Sequence, residues 1–152
     1  MSKIDNCYVA LAGLPQRDLD RIQSMLNAAA RLTADARKFD HVTPLLVNLH
    51  WLRVPERNQY KLCVLVHRCL NGAAPQYLSE LIQPLSDVDS RRRLRSASMA
   101  EVLVPAMRRS TIGDRAFAVP GPRAWNNLTV DLRLSWTFTI FKTYLKSHLV
   151  NA

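Results

Sequence analysis

Apolar residues recur at helical spacing along most of this chain, and the long polar interruption falls near its middle. Leu19, Ile22, Leu26 and Ala29 form one stripe, flanked by Met25 and Leu32. That stripe predicts an amphipathic helix from Pro15 to about Arg37, with Arg17, Arg21, Arg31 and Arg37 mostly off the apolar side. Thr43 before Pro44 reads as an N-cap, and Leu45, Leu46 and Leu49 give the short helix that follows its apolar side, closed by Trp51. Arg53-Val54 then form a turn and Pro55 opens a longer helix. Between Leu62 and Leu70 only His67 and Arg68 are polar, so that helix is expected to be buried on most sides. Asn71-Gly72 stop it. Pro75 opens a short helix bearing Tyr77, Leu78, Leu81 and Ile82, which ends near Pro84. Residues 85–100 hold almost nothing to bury and read as a mobile basic loop. Val102-Leu103-Val104 reads as a short strand stopped by Pro105, with Thr111-Ile112-Gly113 and Ala116-Phe117-Ala118-Val119 as candidate hairpin partners. Pro120-Gly121-Pro122 breaks the chain before Arg123–Leu128. A final amphipathic helix starting near Thr137 carries Phe138, Phe141, Leu145 and Leu149 on one side, with Lys142 and Lys146 on another. Residues 1–14 show no clear period, and Tyr8–Ala12 fits either a strand or a helical stub. The expected fold is mainly α: one domain over residues 1–152, a helical bundle around a buried central helix at about 55–71, with a small β-hairpin element near 100–120.

Length and composition fit this picture. A chain of 152 residues with 48% hydrophobic content suits one globular domain. Charge adds something new: 21 Lys and Arg face 12 Asp and Glu, for a net +9. That balance points to RNA or DNA, or another polyanion, as a non-specific partner. Most of the cations are arginine, the side chain suited to bidentate phosphate contacts. Cys7, Cys63 and Cys69 are odd in number and lack a disulfide-framework spacing, which predicts a reduced chain. No apolar run approaches the roughly 18 residues of a membrane span, and the first residues carry Asp5 early and no apolar signal core. The expectation is an intracellular protein, nuclear or cytoplasmic, with no membrane partner.

Candidate chemistry is sparse. Residues 43–71 have the outline of a helix-turn-helix, with Glu56, Arg57, Asn58 and Gln59 where a recognition helix meets bases. The apolar girth of the rest of that helix favours packing instead. Cys63 and His67 share a helix face, but Cys69 points about 200° away from His67, so the three cannot converge on one metal ion. Asp18/Asp20 and Asp87/Asp89 diverge or balance nearby arginines. No glycine-rich phosphate loop and no activated serine or cysteine is recognisable, so no catalytic residue, metal site or cofactor is assigned. The arginine-rich span is the informative part: Arg91, Arg92, Arg93, Arg95, Arg108 and Arg109 are the candidate nucleic-acid-binding residues, continued by Arg115 and Arg123 and opposed by Glu101 and Asp114. A flexible arginine loop can follow a phosphate backbone. A solvated basic segment or a localisation-type patch remains the plainer alternative. Trp125 and Phe117 could stack on bases, though both suit a core better.

Several blocks also carry a resemblance. They include Asn27–Leu32, Arg37-Lys38-Phe39-Asp40-His41-Val42-Thr43-Pro44, Leu49-His50-Trp51-Leu52, Tyr60-Lys61, Cys69–Leu78, Arg93-Leu94-Arg95-Ser96, Gly113–Phe117, Gly121-Pro122-Arg123-Ala124-Trp125-Asn126 and Phe141-Lys142 with Leu145-Lys146. In this order, over about residues 7–150, they resemble the C-terminal end of non-LTR (LINE-type) retrotransposon reverse transcriptases of the chicken-repeat and jockey-like group. The resemblance implies a region beyond the polymerase palm that helps hold template RNA or target DNA. The palm Asp-Asp ligands and the apurinic-type endonuclease of that family have no counterpart among these residues, so no catalytic residue carries over. Arg53 stands where the family has proline in its Leu-Pro turn, Thr129 replaces the proline after Trp125-Asn126-Asn127-Leu128, and Pro120 occupies a position usually held by a small residue. The functional expectation is therefore a retrotransposon-derived fragment without catalytic activity, retaining non-specific RNA or DNA binding. A protein-interaction module and a non-functional reading frame from a decayed element are the alternatives.

Overall fold

The computed structural model describes residues 14–88, 100–106, 116–134 and 137–150. These residues are mainly helical. The elements are α1 (Gln16–Thr33), α2 (Val42–Asn48), α3 (Val54–Leu70), α4 (Gln76–Ser79), a 3-10 turn (Leu85–Asp87), α5 (Pro120–Asn126), α6 (Val130–Arg133) and α7 (Phe138–Val150). Helix α3 contacts α1, α4, α5 and α7. Its buried residues, Val54, Asn58, Leu62, Cys63, Val66, His67 and Cys69, lie on more than one face, while Arg68 is exposed.

The core gathers on α3 from later parts of the chain. Trp125 of α5 and Phe141, Leu145 and Leu149 of α7 join Cys63, Val66, Cys69, Leu52, Ile82 and Val102 in one cluster. His67 lies inside it: its ring stacks on Phe141 at 4.5 Å between centroids, with Trp125 at 6.2 Å. Asn71 Nδ2 sits 3.2 Å from His67 Nδ1, which supplies a polar partner at the edge of an otherwise apolar contact.

Helix α1 meets α3 differently from the expected stripe. Ala30 is fully buried, Leu19, Ile22 and Leu26 are half-buried, and Ala29, Met25 and Leu32 are exposed. The helix also stops at Thr33 rather than near Arg37. Asp35 takes a left-handed backbone (φ 49°), and Ala36 N–H donates to Arg31 O in a reversal that ends the helix without glycine. Helix α2 begins one residue before the expected Thr43 cap, with His41 at the N-cap. The Thr43 hydroxyl instead accepts a hydrogen bond from Arg53 Nη2 at 3.2 Å.

The region from 100 to 120 departs most from expectation. Ala116–Val119 is a turn, not a strand. It leads directly into α5, which begins at Pro120, so the proline pair opens a helix instead of breaking the chain before one. Prolines at the first and third helical positions lack only N–H groups that have no partner within the helix. Gly121 lets the Phe117 ring pack against the helix start: a Cβ there would lie 2.8 Å from the ring and force it to shift. Val102 pairs in isolation with Pro84, and among the described residues not with Ala116–Val119; the other expected partner, Thr111-Ile112-Gly113, lies outside the described residues. The expected basic loop is also shorter at its start, since Leu85–Asp87 form an ordered turn with Leu85 buried. Among the described residues no helix is long and apolar enough to cross a membrane.

Candidate nucleic-acid interface

The six arginines singled out from the sequence, Arg91, Arg92, Arg93, Arg95, Arg108 and Arg109, all lie outside the described residues. The structure describes the base from which the first four depart and to which the chain returns. Leu85 N–H donates to Glu101 O at 3.0 Å and Leu103 N–H to Gln83 O at 2.8 Å, bracketing the antiparallel pair Pro84 and Val102. Pro84 and Val102 are thus the non-hydrogen-bonded pair of this short ladder, the place where a missing proline N–H leaves no gap.

Val102 therefore turns its own N–H and C=O the other way, into the protein. Both are met by one side chain: Val102 N–H donates to Asn126 Oδ1 at 3.0 Å, and Asn126 Nδ2 donates to Val102 O at 2.9 Å. A side-chain amide here substitutes for the backbone of a further strand. One residue earlier on α5, Trp125 Nε1–H donates to Ala100 O at 2.8 Å. Ala100 is held in a left-handed conformation (φ 52°). Glu101, between these two anchors, pairs with the buried Arg133 of α6, with Nη1 to Oε1 at 3.3 Å. Trp125, which is fully buried, is thus both core and clamp, and it offers no face to a base.

Sequence reasoning missed Asn126 and Arg133 in these roles. Adjacent Trp and Asn on a helix opened by proline carry no period that distinguishes a clamp from a surface, and an arginine in a basic chain does not announce its burial.

The other candidate chemistries resolve into packing. Val54 at the start of α3 is fully buried, and its N–H donates to Gln23 Oε1 of α1 at 2.8 Å. Asn58 is buried and Glu56, Arg57 and Gln59 are half-buried, so the end of α3 that would have to enter a DNA groove is docked on α1. Cys63, His67 and Cys69 are buried. Burial pushes the Cys63 thiol up to about 12 and the Cys69 thiol up as well, which holds both as unreactive neutral thiols. Among the described residues no three His, Cys, Asp or Glu side chains are grouped to hold a metal ion.

No protein-family model, curated protein or solved structure matches the chain.

Proposed function

We propose that this chain is a non-catalytic segment derived from the C-terminal region of a LINE-type reverse transcriptase, and that it binds RNA or DNA non-specifically through Arg91, Arg92, Arg93, Arg95, Arg108 and Arg109. The observation that carries the reading is the concentration of these arginines on either side of one segment, Ala100–Val102, that Trp125 and Asn126 fasten to α5. A fastened segment reduces the entropy lost when the cationic chain beside it closes on a polyanion. The backbone supports the proposed ancestry. Arg53 (φ −67°) and Thr129 (φ −62°), at the two positions where the family has proline, hold the angle that proline imposes. The role belongs to a reducing compartment, nuclear or cytoplasmic, consistent with the free thiols of Cys63 and Cys69.

Binding to labelled RNA and DNA across a salt series tests this. Affinity should fall steeply with salt, and alanine at Arg91, Arg92, Arg93 and Arg95 together should reduce the slope of log affinity against log salt by about 3. Salt-independent binding, or unchanged binding by the fourfold variant, would remove the reading.

A protein-interaction module is the second reading, and a specific feature favours it. Met25 and Leu32, seven residues apart on α1, and Phe39 just beyond it are 68%, 86% and 90% exposed, apolar side chains that a protein partner could cover. Concentration-dependent self-association persisting at high salt, with no affinity for RNA or DNA, would select it.

A further inference from the structure

A second basic feature lies wholly within the described residues and shares none with the arginine-rich span. Along α7, Thr139, Lys142, Thr143, Lys146 and Ser147 recur at steps of three and four, so they form one stripe of hydroxyl and ammonium donors. Arg57, Tyr60 and Lys61 form a matching stripe on α3. Between the two helices lie adjoining depressions of about 440 Å³ and about 290 Å³, which share His50, Tyr60 and Lys146. Among the described residues no carboxylate side chain lines either of them; Glu56 belongs to a neighbouring depression beyond Trp51.

This arrangement is unlike an ordinary solvated face, where opposite charges intersperse. Two of its cations are also held in place. Arg57 Nε donates to Leu52 O at 3.0 Å, and its guanidinium lies 6.0 Å from the Trp51 ring centre. Lys142 Nζ lies 4.7 Å from the Phe138 ring centre. Cations already fixed on a surface lose little rotamer freedom when an anion arrives. Lys61 and Lys146 have no ion-pair partner among the described residues. Tyr60, half-buried and common to both depressions, adds aromatic surface among the cations. Hydrogen-bond donors to phosphate set beside an aromatic side chain are the chemistry of single-strand recognition. The larger depression is open to solvent and of a size to seat a nucleotide against the surface.

We infer that the cleft between α3 and α7 is a second binding track, which takes the phosphate backbone of single-stranded nucleic acid along Lys61, Lys142 and Lys146 and a base against Tyr60. The track does not depend on the arginine-rich span.

The test uses the full chain and a fluorescein-labelled oligouridine of about twelve nucleotides, followed by anisotropy from about 50 to 200 mM salt. K142E/K146E should weaken binding by roughly tenfold or more and lower the salt slope by about 2. The control R21E/K38E makes the same change in net charge at exposed positions away from the cleft and should weaken binding far less. Circular-dichroism melts verify that each variant is folded. In parallel, photo-crosslinking with 4-thiouridine should label the peptide containing Tyr60, and should still do so when Arg91, Arg92, Arg93 and Arg95 are all alanine. Equal weakening by the two charge-reversal pairs, native binding by K142E/K146E, or crosslinks confined to residues 89–115 would each overturn the track. Native binding by the fourfold arginine variant would refute the arginine-span reading alone.

Discussion

Asn126 shows how much structure one side chain can organise. Val102 is 1% exposed, so its N–H and C=O have no access to water and must be paired inside the protein. The Asn126 amide pairs both, and no neighbouring strand does. Asn126→Ala should therefore leave a buried donor and a buried acceptor unsatisfied and cost about 2 kcal/mol, read as a lower urea midpoint with an unchanged slope. Asn127→Ala, one position on and exposed, should change stability by less than about 0.5 kcal/mol. Equal effects at the two positions would show that Val102 finds other partners. Such a clamp was not legible beforehand, because its meaning depends on a contact with a residue 24 positions away. Trp125 was legible only in half: its size marked it for the core, while its bond to Ala100 depended on where the chain returned.

At the scale of elements, the helices were legible where an apolar stripe repeats, and their ends were legible where glycine or proline marks them. Helices α1, α2 and α3 all close with the same reversal: Ala36 N–H to Arg31 O, Trp51 N–H to Leu46 O, and Ala73 N–H to Arg68 O. Each places one residue in the left-handed region, but only α3 uses glycine there; α1 uses Asp35 and α2 uses His50. The end of α3 could be read from Asn71-Gly72, whereas the end of α1 is hidden by an aspartate doing a glycine's work. Val102-Leu103-Val104 and Ala116–Val119 suggested hairpin strands by propensity, but among the described residues Val102 is held by Pro84 and Asn126, and Ala116–Val119 turns into α5. The α2–α3 turn gives the sharpest prediction at this scale. Arg53 has φ −67° and contributes one exposed hydrogen bond to Thr43, so proline fits its backbone at the loss of little. Arg53→Pro should stabilise the chain by a few tenths to about 1 kcal/mol through the unfolded state, raising Tm by about 1–3 °C. A fall in Tm would mean that the turn needs the arginine or its N–H.

At the scale of the whole molecule, the described residues close on one core centred on α3, whose buried thiols stay there at little cost only while they keep their protons. Helix α3 was legible as its centre because nothing between Leu62 and Leu70 except His67 and Arg68 prefers water; that His67 would be stacked on Phe141 was not, since that partner arrives from 74 residues further along. Cys63 turns this dependence into a measurable one. Its thiol is fully buried and pushed up to about 12, whereas in the unfolded chain it ionises near pH 9. Below pH 9 both states keep the proton and stability is at its full value. Between about pH 9 and 12 the unfolded chain gives up the proton while the native chain retains it, so stability falls as pH rises, by at most about 1.4 kcal/mol per pH unit for this one thiol. The burial of Cys69 and Tyr60 raises their values too and acts in the same direction. Since a domain of this size holds only about 5–15 kcal/mol in reserve, the chain should unfold in alkali well before its backbone is attacked, with Tm falling progressively above pH 9. Cys63→Ala should start lower, by about 1–2 kcal/mol for the cavity it leaves, yet lose stability less steeply with pH. Parallel Tm profiles for the two chains from pH 8 to pH 11 would show that the Cys63 proton is not what the core protects.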